Sequence, residues 1–185
     1  MVDASVRRLA TVSDGELAGL AEVLVDCVAA GASVSFMWPF MLEQALAYWA
    51  TVADEVAAGR RMLLVAEDEE GVVGTVQLVP AQPDNQPHRA DVGKLLVHRR
   101  GRRRGVGAAL MRAVDVVAHQ AGKTVLVLDT ADPGAERLYL RLGWQRVGVV
   151  PDFAMLPDGG MCATTILWKR VSPDLPELSG IAPSG

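Results

Sequence analysis

The stretch Leu95-Leu96-Val97-His98-Arg99-Arg100-Gly101-Arg102-Arg103-Arg104-Gly105-Val106-Gly107-Ala108 decides how the rest of the chain is read. An apolar triplet runs into a basic, glycine-containing loop. From Gly105 onward, Val106, Leu110, Ala113, Val114, Val117 and Ala121 recur at helical spacing and stop near Gly122. The pattern predicts a strand, a tight loop and an amphipathic helix. The first turn of such a helix leaves several N–H groups without carbonyl partners and carries partial positive charge, so it suits an anion. Glycines admit a ligand close to the backbone, and the flanking arginines can add charge-assisted hydrogen bonds to phosphate oxygens. A nucleotide triphosphatase is disfavoured because no Gly-x-x-x-x-Gly-Lys-Ser/Thr occurs. A dinucleotide fold is disfavoured because arginines stand where its first glycine belongs, although Asp129 lies about twenty residues downstream.

Working outward, Ser5 to Leu9 can form a first strand, and Ser13-Asp14-Gly15-Glu16 has the spacing of a capping box opening a helix towards Ala30. Gly31 to Trp38 reads as a loop, with Pro39 as the first position of a second helix that Gly59 ends. Arg61 to Glu67 and Val72 to Val79 read as a hairpin around Asp68-Glu69-Glu70-Gly71. The proline-rich segment from Pro80 to Pro87 is a loop before the strand Arg89 to His98. Beyond the central helix, Thr124 to Asp129 has the apolar run of a buried parallel strand. Asp132-Pro133 caps a helix stopped by Gly143, and Trp144 to Val150 and Met161 to Lys169 are strands joined by Pro157-Asp158-Gly159-Gly160. The expectation is one α/β domain over residues 1–170, with 171–185 a flexible tail rich in proline, serine and glycine.

At 185 residues the chain can bury a genuine core. No apolar run approaches the roughly 20 residues of a membrane span, and the start lacks a signal-peptide core, so a cytoplasmic protein without a membrane partner is expected. Cys27 and Cys162 are far apart and in no ligand spacing, so neither a disulfide framework nor a metal site is expected. The net charge of −4 argues against a nucleic-acid partner, despite the local cluster of arginines.

Arg102-x-x-Gly105-x-Gly107, after a strand and before a helix, resembles the acetyl-CoA signature of the GNAT superfamily of N-acetyltransferases. Ala135-x-x-Leu138-Tyr139-x-x-x-Gly143-Trp144 is similar to the superfamily's later helix, whose tyrosine lies near the thioester sulfur. The resemblance implies an α/β (α+β) fold with a mixed, centrally splayed sheet flanked by helices. It also implies acetyl-CoA as co-substrate, without a metal. The backbone of Leu95, Leu96 and Val97 would then pair with the pantetheine arm, and the amides of Arg102, Arg103, Arg104, Gly105, Val106, Gly107 and Ala108 would hold the pyrophosphate. Asp132 stands where the superfamily often has an asparagine that contacts pantetheine. A closer resemblance runs through Gly31-Ala32-Ser33-Val34-x-Phe36-Met37, Arg89-Ala90-Asp91-Val92-x-Lys94-Leu95, Leu128-Asp129-Thr130 and Arg146-Val147-Gly148. These stretches look like those of the tabtoxin-resistance acetyltransferases, which inactivate a β-lactam amino-acid toxin.

An acceptor amine with a pKa near about 10.4 is only about 1 part in 2,500 neutral at pH 7, a handicap of roughly 4.6 kcal/mol unless a base removes the proton. Asp91 and Asp129 are the candidate bases, directly or through water, and candidate contacts to the acceptor. Tyr139 is the candidate acid for the thiolate released when a tetrahedral intermediate collapses. Phe36, Met37 and Trp38 are candidates for the acceptor pocket. His88 and His98, close to the basic loop, are disfavoured as proton acceptors. The expected partners are acetyl-CoA and a small-molecule amine, an amino-acid-like toxin or antibiotic among them. A protein amine, a non-catalytic acetyl-CoA sensor and a homodimer stay open.

Overall fold

The computed structural model describes residues 4–174. Seven strands form one mixed sheet in the order β1-β2-β3-β4-β5-β7-β6. They are β1 (Ser5–Leu9), β2 (Met62–Asp68), β3 (Gly71–Pro80), β4 (Arg89–Val97), β5 (Val125–Thr130), β6 (Gln145–Met155) and β7 (Met161–Arg170). Four α-helices join them: α1 (Asp14–Ala29), α2 (Leu42–Ala57), α3 (Val106–Gln120) and α4 (Pro133–Arg141). This is the mixed α/β arrangement expected from the sequence. The capping box at α1 is formed: Ser13 N donates to Glu16 Oε2 at 2.6 Å and Glu16 N to Ser13 Oγ at 3.4 Å.

Strand alternation divides the core between the two faces of the sheet. On one face α3 lays Leu110, Met111, Val114 and Val117 against Leu64, Val76, Leu78, Ala90 and Leu126. On the other, α1 and α2 bring Leu20, Leu24, Trp49 and Val52 onto Leu63, Val65 and Leu96. Each fully buried aliphatic side chain contributes about 1.5–3 kcal/mol. The neighbours Leu63 and Leu64 thus serve different cores, which explains the uninterrupted apolar run of β2.

Three boundaries differ from the sequence reading. Helix α2 begins at Leu42 rather than Pro39. Trp38 N–H is committed to Pro157 O at 2.8 Å and Phe40 is buried, so the chain turns helical only after Met41, the extended N-cap whose N–H donates to Gln44 Oε1 at 2.8 Å. Strand β6 continues through Pro151 to Met155 instead of ending at Val150. It lies at the sheet edge with an irregularity between Val150 and Ala154, where a missing N–H is tolerated. Val171, expected in the tail, is buried and its N–H donates to Thr124 O at 3.0 Å. The rest of the expected tail, from residue 175, lies outside the described residues.

Gly101, in the 3-10 turn Arg99–Gly101 after β4, is buried where a Cβ would lie 2.6 Å from Val73 Cγ2. Val73 is itself buried in the α3-side core, so it can shift only by disturbing its neighbours there. Gly101→Ala is therefore expected to lower stability by about 1–3 kcal/mol, read as a shifted urea midpoint with an unchanged denaturant slope.

Candidate active site

Strands β4 and β5 run parallel for only three register pairs, Arg89 with Val125, Ala90 with Leu126 and Asp91 with Val127. Beyond Asp91 they part, and the edge of β4 that faces β5 has no strand beside it. The ladder fixes which groups face this gap. His98 N donates to Val73 O at 2.9 Å, and successive residues of a strand point their polar groups to opposite edges. Leu96 therefore turns to β3, where a Cβ on Gly74 would sit 3.0 Å from the Leu96 carbonyl. Leu95 and Val97 turn to the gap. The Val97 carbonyl accepts from Arg102 Nε at 3.0 Å and Cys27 Sγ at 3.6 Å. Of the three residues expected to pair with an extended ligand, Leu95 and Val97 offer backbone groups and Leu96 offers the wall.

The gap opens into a cleft of about 1200 Å³ that runs to the start of α3. Arg103 (φ 60°) and Gly105 (φ 89°) both adopt the left-handed conformation and fold the loop back on itself. The first carbonyl of the helical ladder, Gly105 O, is taken by Ala109 N at 3.0 Å, so the N–H groups of Val106, Gly107 and Ala108 have no carbonyl within their own helix. Such a run of main-chain donors is an anion-binding concavity. A Cβ on Gly107 would meet Leu138 Cδ2 at 3.3 Å, so glycine here lets α4 pack closely on the start of α3.

The arginine side chains make contacts that the sequence did not signal. Arg99 binds the Asp26 carboxylate through both its backbone N–H and its guanidinium, and Arg102 reaches the same carboxylate at 3.5 Å. Arg100 pairs with Asp68 at 3.1 Å, and Arg104 donates to Arg100 O at 3.0 Å. These contacts brace the loop, and Arg102 lines the cleft as well. Among the described residues, Arg103 lines the cleft with no carboxylate on it. Arg104 lies outside the lining.

At the far end, Asp129, next to last in β5, lines the cleft, its Oδ2 accepting from Thr164 Oγ1 at 2.8 Å. Asp91 precedes the parting of the strands, is ion-paired with Arg89 and lies outside the lining. The two candidate carboxylates are thus not brought to one cleft. Phe36 and Met37 line it; Trp38 is exposed outside it. Sequence reasoning assigned no role to Lys94, which also lines the cleft, at a bulge where Lys94 and Leu95 of β4 oppose Val76 alone of β3. The only signal was its place in the quoted Arg89-to-Leu95 stretch.

Asp132 caps α4 by accepting from Gly134 N at 2.7 Å, and it lines the cleft with Tyr139. Tyr139 is buried against Trp144, ring centres 5.9 Å apart. Burial, followed by the charges of Asp132 and Asp129, pushes its phenol well above the ordinary tyrosine value, so it keeps its proton across the physiological range. Among the described residues no group of three or more His, Cys, Asp or Glu is placed to hold a metal, and no helix is long and apolar enough to cross a membrane.

This geometry can be set beside known proteins. Residues 59–146 match the family model of the acetyltransferase (GNAT) domain. An uncharacterized N-acetyltransferase in the hisH-hisA intergenic region of Azospirillum brasilense is 30% identical over 134 residues, 71% of this chain and 78% of that one. N-acetyltransferase 8B of Rattus norvegicus is 38% identical over 87 residues, 45% of this chain; the match spans 39% of that relative's length. The structure of yncA from Salmonella typhimurium, solved with its cofactor acetyl-CoA, superposes with a TM-score of 0.71 at 17% identity, covering 95% of this chain and 98% of that one. Fold and splayed sheet define a GNAT-type α/β protein. The chain belongs to the GNAT family of N-acetyltransferases.

Proposed function

We propose that the protein, working in the cytoplasm, transfers the acetyl group of acetyl-CoA directly to the amine of a small molecule. The observation that carries this reading is the parting of β4 and β5 after Asp91, beside the mouth of α3. An elongated ligand with a diphosphate at one end and an amide-bearing arm at the other fits that combination. The open main-chain donors of Val106 to Ala108 receive the anion, and the edge of β4 at Leu95 and Val97, which has no strand beside it, receives the arm. The Val97 N–H is also a donor of the kind that stabilises negative charge developing on a carbonyl oxygen.

Asp129 and Tyr139 supply the proton route. Asp129 receives the amine proton, through water where the distance requires it, with Thr164 fixing its orientation. Tyr139, which burial keeps protonated, stabilises the leaving thiolate by donating its O–H to the sulfur and is the candidate to pass it a proton as the Tyr139 oxygen is re-protonated from solvent. The resemblance to the tabtoxin-resistance enzymes supports a β-lactam or another amino-acid-like toxin or antibiotic as acceptor. The full chain is tested by calorimetry with coenzyme A and by mass spectrometry of a panel of such compounds after incubation with acetyl-CoA. Binding heat and a product heavier by one acetyl group are expected. The absence of any heat at millimolar coenzyme would end this reading.

A further inference from the structure

The acceptor end of the cleft holds two charges of opposite sign that leave each other unneutralised. Asp129 stands on one side; Lys94 stands on the other, with no carboxylate within the 4.0 Å of an ion pair among the described residues. The contrast with other inward-facing cations is direct: Arg100 has Asp68 and Lys169 has Asp115. Lys94 Nζ instead donates to Val34 O at 2.8 Å and Ser35 Oγ at 3.0 Å, and lies 5.7 and 5.9 Å from the rings of Phe36 and Tyr48. Two of its three N–H groups are thus used, and the third is left. Burial lowers its pKa from the usual lysine value; the charge of Asp129 opposes that shift and Arg61 adds to it.

A half-buried ammonium without a counter-ion is left short of a partner for its charge, and a ligand that brings the anion is favoured there. Its backbone adds a second cost. Lys94 (φ 51°) and Ser35 (φ 78°) both occupy the left-handed region that residues with a Cβ avoid, and they are bonded to each other. Strain of this kind gathers at sites that need one fixed arrangement. Here it holds an ammonium and an aromatic wall, Phe36, at the mouth of the acceptor end.

We propose that Lys94 and Asp129 together select an acceptor bearing a carboxylate as well as an amine, Lys94 taking the carboxylate and Asp129 facing the ammonium. The inference rests on the transferase reading above and narrows it. A polyamine would set a second cation against Lys94, and a monoamine would leave Lys94 without its anion.

The test is steady-state kinetics of the full chain with acetyl-CoA, comparing free amino acids with the carboxamides of the same amino acids. The wild type is expected to prefer the free acids about 100-fold in kcat/KM, the size of a hydrogen bond to a charged group, with most of the difference in KM. Lys94→Met and Lys94→Gln are expected to abolish most of that preference while the KM for acetyl-CoA stays constant, and Lys94→Arg to retain much of it. If the Lys94 variants slow acids and carboxamides alike, Lys94 only pins the Val34–Phe36 loop and the inference is wrong. It is equally wrong if the wild type favours the carboxamides or polyamines. Loss of turnover on every amine, with coenzyme A still bound in the calorimeter, would overturn the transferase reading and this inference with it.

Discussion

Asp129→Asn is expected to lower kcat by about 10²–10⁴-fold, the usual contribution of a positioned acid or base, with coenzyme A affinity unaffected. The substitution is nearly isosteric, and the amide oxygen can still accept from Thr164 Oγ1, which now lies 2.8 Å from the carboxylate. What disappears is the negative charge and the proton-accepting oxygen. The deficit should shrink as pH climbs towards the acceptor's own pKa, because an amine that is already neutral needs no base. Rates of acetyl transfer measured between neutral and alkaline pH for both proteins check this. A constant ratio across the range would mean that Asp129 does not handle the proton. Asp91→Asn, at a carboxylate paired with Arg89 outside the cleft, is expected to cost far less. An equal or larger loss there would return the role to Asp91.

That distinction shows where the sequence stopped being legible. Asp91 and Asp129 each sit on a strand that borders the coenzyme region, and one dimension gives no reason to prefer either. The register of β4 against β5 separates them: Asp91 belongs to the last paired position, Asp129 to the part of β5 that has already diverged. Local signals were readable because their cause is local. The Ser13–Glu16 cap, the helical spacing after Gly105 and the Asp132 cap each depend on residues within one turn. The role of the arginines was hidden for the opposite reason. Their partners, Asp26 and Asp68, lie 73 and 32 residues away in the chain. Asp26 itself looks like a stray acid between Val25 and Cys27 in an apolar helix. Lys94 escaped notice because its exposure to the cleft follows from a bulge, and nothing in Gly93-Lys94-Leu95 signals an extra residue in a ladder.

Asp26→Ala is expected to lower stability by about 3 kcal/mol, the size of a lost charged hydrogen bond together with an N–H left unpaired. The Asp26 side chain, at the α1 side of the cleft loop, is buried and accepts Arg99 N–H at 2.9 Å as well as the Arg99 guanidinium. Arg102 adds a contact at 3.5 Å and His98 Nε2 stands 3.7 Å away. One carboxylate thus ties α1 to the end of β4 and to the loop that presents the helix mouth, so coenzyme affinity should fall along with stability. Its pH dependence tests the charge rather than the shape. Burial alone would raise the Asp26 pKa, but the bonds from Arg99 and the charges of His98 and Arg99 outweigh it and hold the carboxyl below the ordinary value of 3.8. A depressed folded-state pKa contributes stability that is complete above the unfolded value and is lost as pH falls through the folded one. Asp26→Asn keeps an oxygen for the Arg99 N–H but never carries the charge. Its deficit in urea midpoint relative to the wild type should be constant from neutral pH down to about 5 and then close below about 4. Two midpoint curves that stay parallel into acid would show that Asp26 contributes shape and hydrogen bonding alone, without the ionic tie between α1 and the arginine loop.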